Sequence, residues 1–485
     1  MLFKIKPLLT SISLTLALAS TQLVAQQQNK NELPEIGAAG TSILSIDKER
    51  IIGEAMMKHL RGSQPLIDDP VMNEYINDLG NQLVKNANDV NYKFRFFVID
   101  NNELNAFAFF GGHVGIHSGL ITTAANESEL ASVLAHEISH VTQRHLARRL
   151  ESQSRSQPLT TAAMISGILL ALVNPTVGMA TISASMAAAQ QAGINYTRGN
   201  EKEADRVGIT LLANSHFDPM GAPEFFGKMS EKFRYKTKPP AMLLTHPLPD
   251  SRISDARVRA QNYPRVQLPP SLGFELTKAR ITARYQGIAK NNIKYFENIL
   301  AKQRYALKPA AQYGLALSLF ANKESDKAKE LLETLYHADN KNLFYVDALS
   351  DVYIDLKMFD EAKAMLAELS LLMPNNQVVT LNYANVLQEN KEFQKAEEML
   401  QDFLLVKPAH FIAYDLLSTV YRKSEKKSLM HTSKAEVYAL IGAYPKAIDE
   451  LQTAYNFAEK QPLLRKRIKA RILQFEDQQN KLKRL

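Results

Sequence analysis

A period of 34 residues in the C-terminal part of the chain constrains its fold more than any other feature. Ala328, Ala362 and Ala396 recur at that interval, as do Tyr353, Leu387 and Tyr421, and Pro374 and Pro408 are also 34 apart. The apolar spacing between them is helical. An alanine lets two antiparallel helices approach closely, and a proline ends the second of them. The stretch 278–485 is therefore expected to stack helical pairs, with Tyr313 and Gly314 fitting the opening of an earlier unit. Ala447 has the same surroundings but is out of phase, so the last units are irregular or an extra helix intervenes. A plain helical bundle is the alternative, and the in-phase positions argue against it.

This repeat length, with its small-residue and proline placement, resembles the tetratricopeptide repeat. Such solenoids present a concave face that usually binds other proteins. Residues 47–265 have a different character, and the prolines between 264 and 270 mark a boundary. Phe94–Ile99 reads as a strand, and His113–His117 alternates as a strand does. Residues 105–117 are expected to form a β-hairpin with Gly111-Gly112 at its turn. From Glu127 a helical pattern runs to about Gln153, and Glu201 to Ala213 is helical again. The fold class expected is mainly α with a small β-hairpin or sheet in the first domain, followed by an α-solenoid of tetratricopeptide repeats. Residues 161–192 hold two apolar pieces around Asn174-Pro175. Neither reaches the roughly 20 residues of a membrane span, so a helical hairpin packed on the body is expected, placed as a lid.

The N-terminus carries Lys4 and Lys6, a short apolar run from Leu8 to Ala19, then small residues. That order reads as a secretory signal peptide over residues 1–25, with cleavage after Ala19 or Ala25. Residues 26–46 are polar and read as a mobile leader. The chain has no cysteine, so no disulfide supports it and no thiol serves as nucleophile. An exported protein of this kind relies on core packing or a metal, and a periplasmic location fits. With 58 basic and 50 acidic residues the net charge is +8. A balance this mild, without an arginine-rich run interleaved with aromatics, argues against nucleic acid. It is compatible with peripheral association with an anionic membrane surface.

The chemistry centres on His136-Glu137-Ile138-Ser139-His140. Residues four apart share a helix face, so both imidazoles can reach one Zn²⁺, with Glu137 beside them to take a proton from water. A catalytic zinc needs a third protein ligand. Glu201 and Asp205 are again four apart: Glu201 is the expected third ligand, and Asp205 is expected to accept a hydrogen bond from a ligand imidazole. Glu203 is expected to point away into solvent. Arg252 is a candidate oxyanion donor, with a structural ion pair as the alternative. A second metal site at His113 and His117, on one strand face, is disfavoured. Substrate is expected to add as an extra strand beside the 105–117 hairpin.

Taken with Asn105–Gly112, Val141–His145, Asn200–Arg206 and Leu244–Pro249, the motif resembles the M48 peptidases, and nearly the whole chain is similar to those members that carry C-terminal tetratricopeptide repeats. The resemblance implies a gluzincin-like metalloprotease domain ahead of the solenoid, with one zinc per chain held by His136, His140 and Glu201 and with Glu137 catalytic. It implies that His246 can take the fourth zinc position and hold the enzyme latent. It also implies outer-membrane quality control: unfolded or misassembled β-barrel proteins as clients, chaperone-like assistance to their assembly, and contact of the repeats with the barrel-assembly machinery. A repeat-based binding or chaperone module with a latent zinc site is the second reading.

Overall fold

The computed structural model describes residues 44–156, 198–234 and 241–484. The expected signal peptide, leader and apolar hairpin at 161–192 lie outside the described residues, apart from the leader's last three positions.

Three short segments, the first rich in aromatic and β-branched residues, pair into a three-stranded sheet. Its strands are β1 (Arg95–Ile99), β2 (Ala106–Phe109) and β3 (His113–His117), in the order β1-β3-β2. β3 runs parallel to β1 and antiparallel to β2. The turn between β2 and β3 is the glycine pair, with φ of +77° at Gly111 and +80° at Gly112, values that only glycine adopts without strain. One sheet face, with Phe97, Ile99 and Phe109, packs with Met57 from helix α1 (Ile46–Ser63). The other, with Phe96, Val98, Val114 and Ile116, joins the main core with Leu130, Leu134 and Ile138. β1 and β2 are the edge strands, and Ile99 at the end of β1 bridges to Leu66.

Two further helices set up the site. After α2 (Pro70–Val84) and the short α3 (Ser118–Thr123), α4 (Glu127–Thr142) begins with a reciprocal cap. Asn126 accepts from the Glu129 amide at 2.9 Å, and the Glu129 carboxylate accepts from the Ala125 amide at 2.7 Å. The single helix expected to run to about Gln153 is broken. Arg144 takes φ +50°, and α5 (His145–Ser156) starts anew. The break buries the Arg144 guanidinium, which donates to Glu49 and, at 2.8 Å, to the Leu44 carbonyl. The helix α6 (Arg198–Asn214) crosses α4 closely because Gly208 lies against it. A Cβ there would sit 3.2 Å from the backbone nitrogen of His136.

The solenoid keeps the 34-residue period as expected. The second helices of successive pairs are Ser325–Ala338, Phe359–Leu372 and Phe393–Val406, and the first helices Leu343–Asp355, Gln377–Glu389 and Phe411–Lys423. Ala328, Ala362 and Ala396 are fully buried at the crossings. The phase is lost at Lys427–Leu440, which begins in register with the second helices and then serves as the first helix of the pair completed by Tyr444–Phe457. One helix with two roles advances the pattern by half a period, which puts Ala447 where it is.

Each helix-to-helix turn within the pairs carries a residue at positive φ: Lys323 at 67°, Lys357 at 60°, Lys391 at 64° and Glu425 at 60°. A side chain there costs about 1 kcal/mol, of which glycine's extra unfolded freedom returns part. The double variant Lys357→Gly/Lys391→Gly is expected to raise the urea midpoint through a net gain of about 0.5 kcal/mol per site. A lowered midpoint would show that the lysine side chains contribute more than the strain costs.

The helix Leu272–Tyr285 begins before the expected start of the repeats and belongs to both halves. Phe274 and Ile281 join the protease-side core, whereas Leu276, Ala279 and Ala283 join the repeat core. The first helices of the repeats also hold α2 of this same chain. Asn376 donates to Glu74 at 2.9 Å and Gln377 donates to the Pro70 carbonyl at 3.1 Å. Farther along, Lys58 of α1 donates to the Tyr444 hydroxyl at 2.8 Å.

Candidate metal centre

One turn of helix separates His136 from His140, and their Nε2 atoms come within 3.0 Å of each other. Glu201, near the start of α6, reaches both: Oε2 is 3.5 Å from His136 Nε2 and Oε1 is 3.4 Å from His140 Nε2. His246 follows the short helix Ala241–Thr245, and its Nδ1 lies 3.1 Å from Glu201 Oε1 and 3.4 Å from His136 Nε2. One donor atom from each of His136, His140, Glu201 and His246 fits within 4.8 Å of all the others, and all four residues are buried. Two imidazoles and a carboxylate are a nitrogen and oxygen set that suits a divalent cation. Glu137 is fully buried next to them. Neither of its oxygens accepts a hydrogen bond among the described residues, and Oε1 stands 3.5 Å from His246 Nε2. A buried carboxylate in that condition is costly unless a bound group or reactant faces it.

The peptidase family M48 matches residues 70–260, and the tetratricopeptide repeat family matches residues 353–419. A Vibrio cholerae relative is 45% identical over 96% of this chain and 97% of its own length. The Escherichia coli K12 protein named beta-barrel assembly-enhancing protease is 40% identical over 93% of this chain and 92% of its own. The chain belongs to peptidase family M48. A bovine relative, the mitochondrial metalloendopeptidase OMA1, is 27% identical over 34% of this chain and 32% of its own length. As an M48 metallopeptidase, the protein depends on a metal, and the cluster around His136 fits one.

The surroundings of an M48 site must orient its ligands, and here they form two chains of contacts. Asp205 Oδ1 lies 3.0 Å from His136 Nδ1, on the side of the ring away from the cluster. On the other branch, His140 Nδ1 lies 2.8 Å from His145 Nδ1, and His145 Nε2 lies 3.1 Å from Glu203 Oε2. Glu203 also takes Arg148 at 3.2 Å. Glu203 points away from the cluster as expected and keeps 36% of its side chain exposed, but it is not simply solvated: the break at Arg144 turns α5 back so that His145 and Arg148 meet it. His145 carried no role in the sequence reading. Its signal is faint, because its contact with His140 exists only once the helix has broken.

Arg252 is buried and directs its donors at carboxylates. Nε and Nη2 each donate to Asp205 at 2.7 Å. Nη1 lies 2.7 Å from Glu201 Oε2 and donates to the Pro247 carbonyl at 2.7 Å. These are the contacts that the ion-pair alternative expects. The guanidinium fastens both carboxylates of α6 and the segment that presents His246. His113 and His117 are buried among Phe107 and Phe109, with rings stacked or edge-on to them, and are not part of the cluster among the described residues.

The electrostatics favour a cation. Burial alone would raise the Glu201 carboxyl, but His136 and His246 outweigh it and hold the group far below the usual carboxylate range. Asp205 is likewise lowered against its burial, by His136 and Arg252. Burial opposes charge on His136, yet Asp205 and Glu201 raise its pKa to about 10. His140 is driven well below the ordinary histidine value by burial and by its positive neighbours.

Proposed function

We propose that this M48 peptidase is a periplasmic zinc metalloendopeptidase acting on unfolded or misassembled outer-membrane β-barrel proteins, with a chaperone-like role in their assembly. The observation that carries the chemistry is the convergence of His136, His140 and Glu201 beside the buried carboxylate of Glu137, which accepts no hydrogen bond among the described residues. His136, His140 and Glu201 hold the zinc. When bound, zinc polarises the scissile carbonyl and supplies a water whose pKa is lowered toward ~7. Glu137 takes the proton of the attacking water and returns it to the leaving amine. Asp205 and Arg252 act on orientation: the first fixes the His136 ring, the second holds Asp205 and Glu201 against each other's charge.

The client class is supported by the name of the Escherichia coli relative and by the place of β2 at an edge of the sheet, with no further strand paired to it among the described residues. Ala108–Gly111 and His140–Val141 line one small cavity, so this edge lies next to the metal ligands. A chain with unpaired backbone groups can add there as a strand. The repeats contact the barrel-assembly machinery in this reading.

The proximity of His246 to Glu201 and Glu137 favours latency as well. Its ring stands between the base and the ligands, where water and substrate must enter. His246→Ala is expected to raise cleavage of an unfolded β-barrel substrate on the order of tenfold, as removal of a dominant closed state would. Unchanged or lower cleavage by a folded, metal-loaded variant would remove the latch from the account. A binding module with a silent site is the second reading, and cleavage that stays absent in the His246→Ala protein would favour it.

A further inference from the structure

The last helix, Pro462–Arg484, has a face whose chemistry none of its intramolecular contacts explains. Ile468 and Phe475 are buried and join the core of the final helices, with Leu464 and Ile472 half-buried beside them. Arg471 pairs with Glu436 at 2.6 Å and lies over the Phe475 ring, and Arg465 stacks on Tyr455. These contacts account for one side of the helix. On the other side Leu463, Lys466, Ala470 and Leu473 follow one another at three- and four-residue spacing, so they form one stripe. Leu463 is 63% exposed and Leu473 59% exposed. Lys466, Arg467 and Lys469 are exposed along this stripe, as is Lys460 just before the helix, and among the described residues none of them enters an ion pair. From Lys460 to Arg471 the sequence contains no acidic residue.

We propose that the first three turns of this helix dock on an anionic phospholipid surface. The occupant follows from charge and spacing. Four cations without carboxylate partners select a surface of negative charge, worth about 1 kcal/mol each close to such a membrane. Leu463 and Leu473, one at each end of the stripe, are exposed among the described residues, and an interfacial helix places such side chains at the boundary between headgroups and acyl chains. An acidic protein would meet the cations but would leave the leucines in water. The helix is anchored to the solenoid by its opposite side, so docking needs no unfolding. Its effect is to hold the whole peptidase beside a membrane. The proposal rests on the periplasmic reading only for which membrane is met; its test needs neither the metal nor the location.

Full-length protein is mixed with vesicles of phosphatidylcholine alone or with 30% phosphatidylglycerol, at about 0.1 M salt where the Debye length is about 10 Å, and bound protein is recovered by flotation. Recovery with the anionic vesicles is expected, falling as salt is raised. The variant Lys466→Glu/Arg467→Glu/Lys469→Glu should lose at least about tenfold in partitioning, and Leu463→Ser/Leu473→Ser should lose binding that salt does not restore. Circular dichroism melts of both variants should match the parent. Equal recovery of parent and triple-glutamate protein would overturn the proposal. So would retention on a poly-glutamate column with no recovery on anionic vesicles, which would point to an acidic protein. Metal content and cleavage of a soluble unfolded substrate, measured on the same samples, separate this outcome from failure of the peptidase reading.

Discussion

Glu137→Gln is expected to leave the chain folded and metal-loaded while lowering kcat on an unfolded β-barrel substrate by about 10³-fold, within the range general acid–base groups contribute. The carboxylate is completely buried and neither oxygen accepts a hydrogen bond among the described residues. The amide has the same shape and brings no charge into that position, so stability should hold or rise slightly. Glu137 is absent from the four residues whose donor atoms cluster, so metal content should stay at the parent level. Partner binding through the repeats should persist, which separates the enzyme from a binding module. Cleavage at parental rate by the metal-loaded variant would show that another group moves the proton.

The largest loss of stability is expected far from the metal, at Arg280. This guanidinium is 1% exposed and makes three short contacts: Nε to Asp69, Nη2 to Asp347 and Nη1 to the Tyr313 hydroxyl, each at 2.6 Å. Asp69 also caps α2, accepting from the Met72 amide at 3.3 Å, while Asp347 takes the Asn382 amide at 3.0 Å. Arg280 therefore ties the start of α2 to the first helices of three successive repeat pairs. Removing one member leaves buried charges without compensation, at a cost of about 3–5 kcal/mol. Arg280→Met should lower the urea midpoint by that amount divided by the m-value. Arg280→Lys should fall between, because an ammonium keeps the charge but not the three-way geometry. A midpoint for Arg280→Met within about 0.5 kcal/mol of the parent would mean that the network contributes nothing net.

Much of this architecture could be read from local spacing. Two histidines four apart, two acids four apart and an alanine every 34 residues each report which side chains share a helix face. The glycine pair at the β2–β3 turn reports a backbone that other residues avoid. What stayed hidden depends on partners distant in the chain. The break after α4 needs Glu49 to receive Arg144 across 95 residues. Without that pair, Gln143 to Gln153 still reads as helix. The helix face of α6 alone places Glu203 in solvent, whereas α5 returns to pair His145 and Arg148 with it. The role of Arg252 turned on which acceptors surround it, and only the folded chain brings Asp205, Glu201 and the Pro247 carbonyl to one guanidinium. The helix Lys427–Leu440 lost the period for a different reason: one sequence had to satisfy two neighbours.

The central claim is that two imidazoles and the Glu201 carboxylate hold one zinc. Plasma mass spectrometry on purified, dialysed parent and Glu201→Ala protein tests it directly, with circular dichroism confirming that both are folded. The account predicts close to one zinc per chain in the parent and a loss of affinity on the order of 10²-fold or more in the variant, enough to empty it on dialysis. Stoichiometric zinc retained by folded Glu201→Ala protein with unchanged affinity would contradict it.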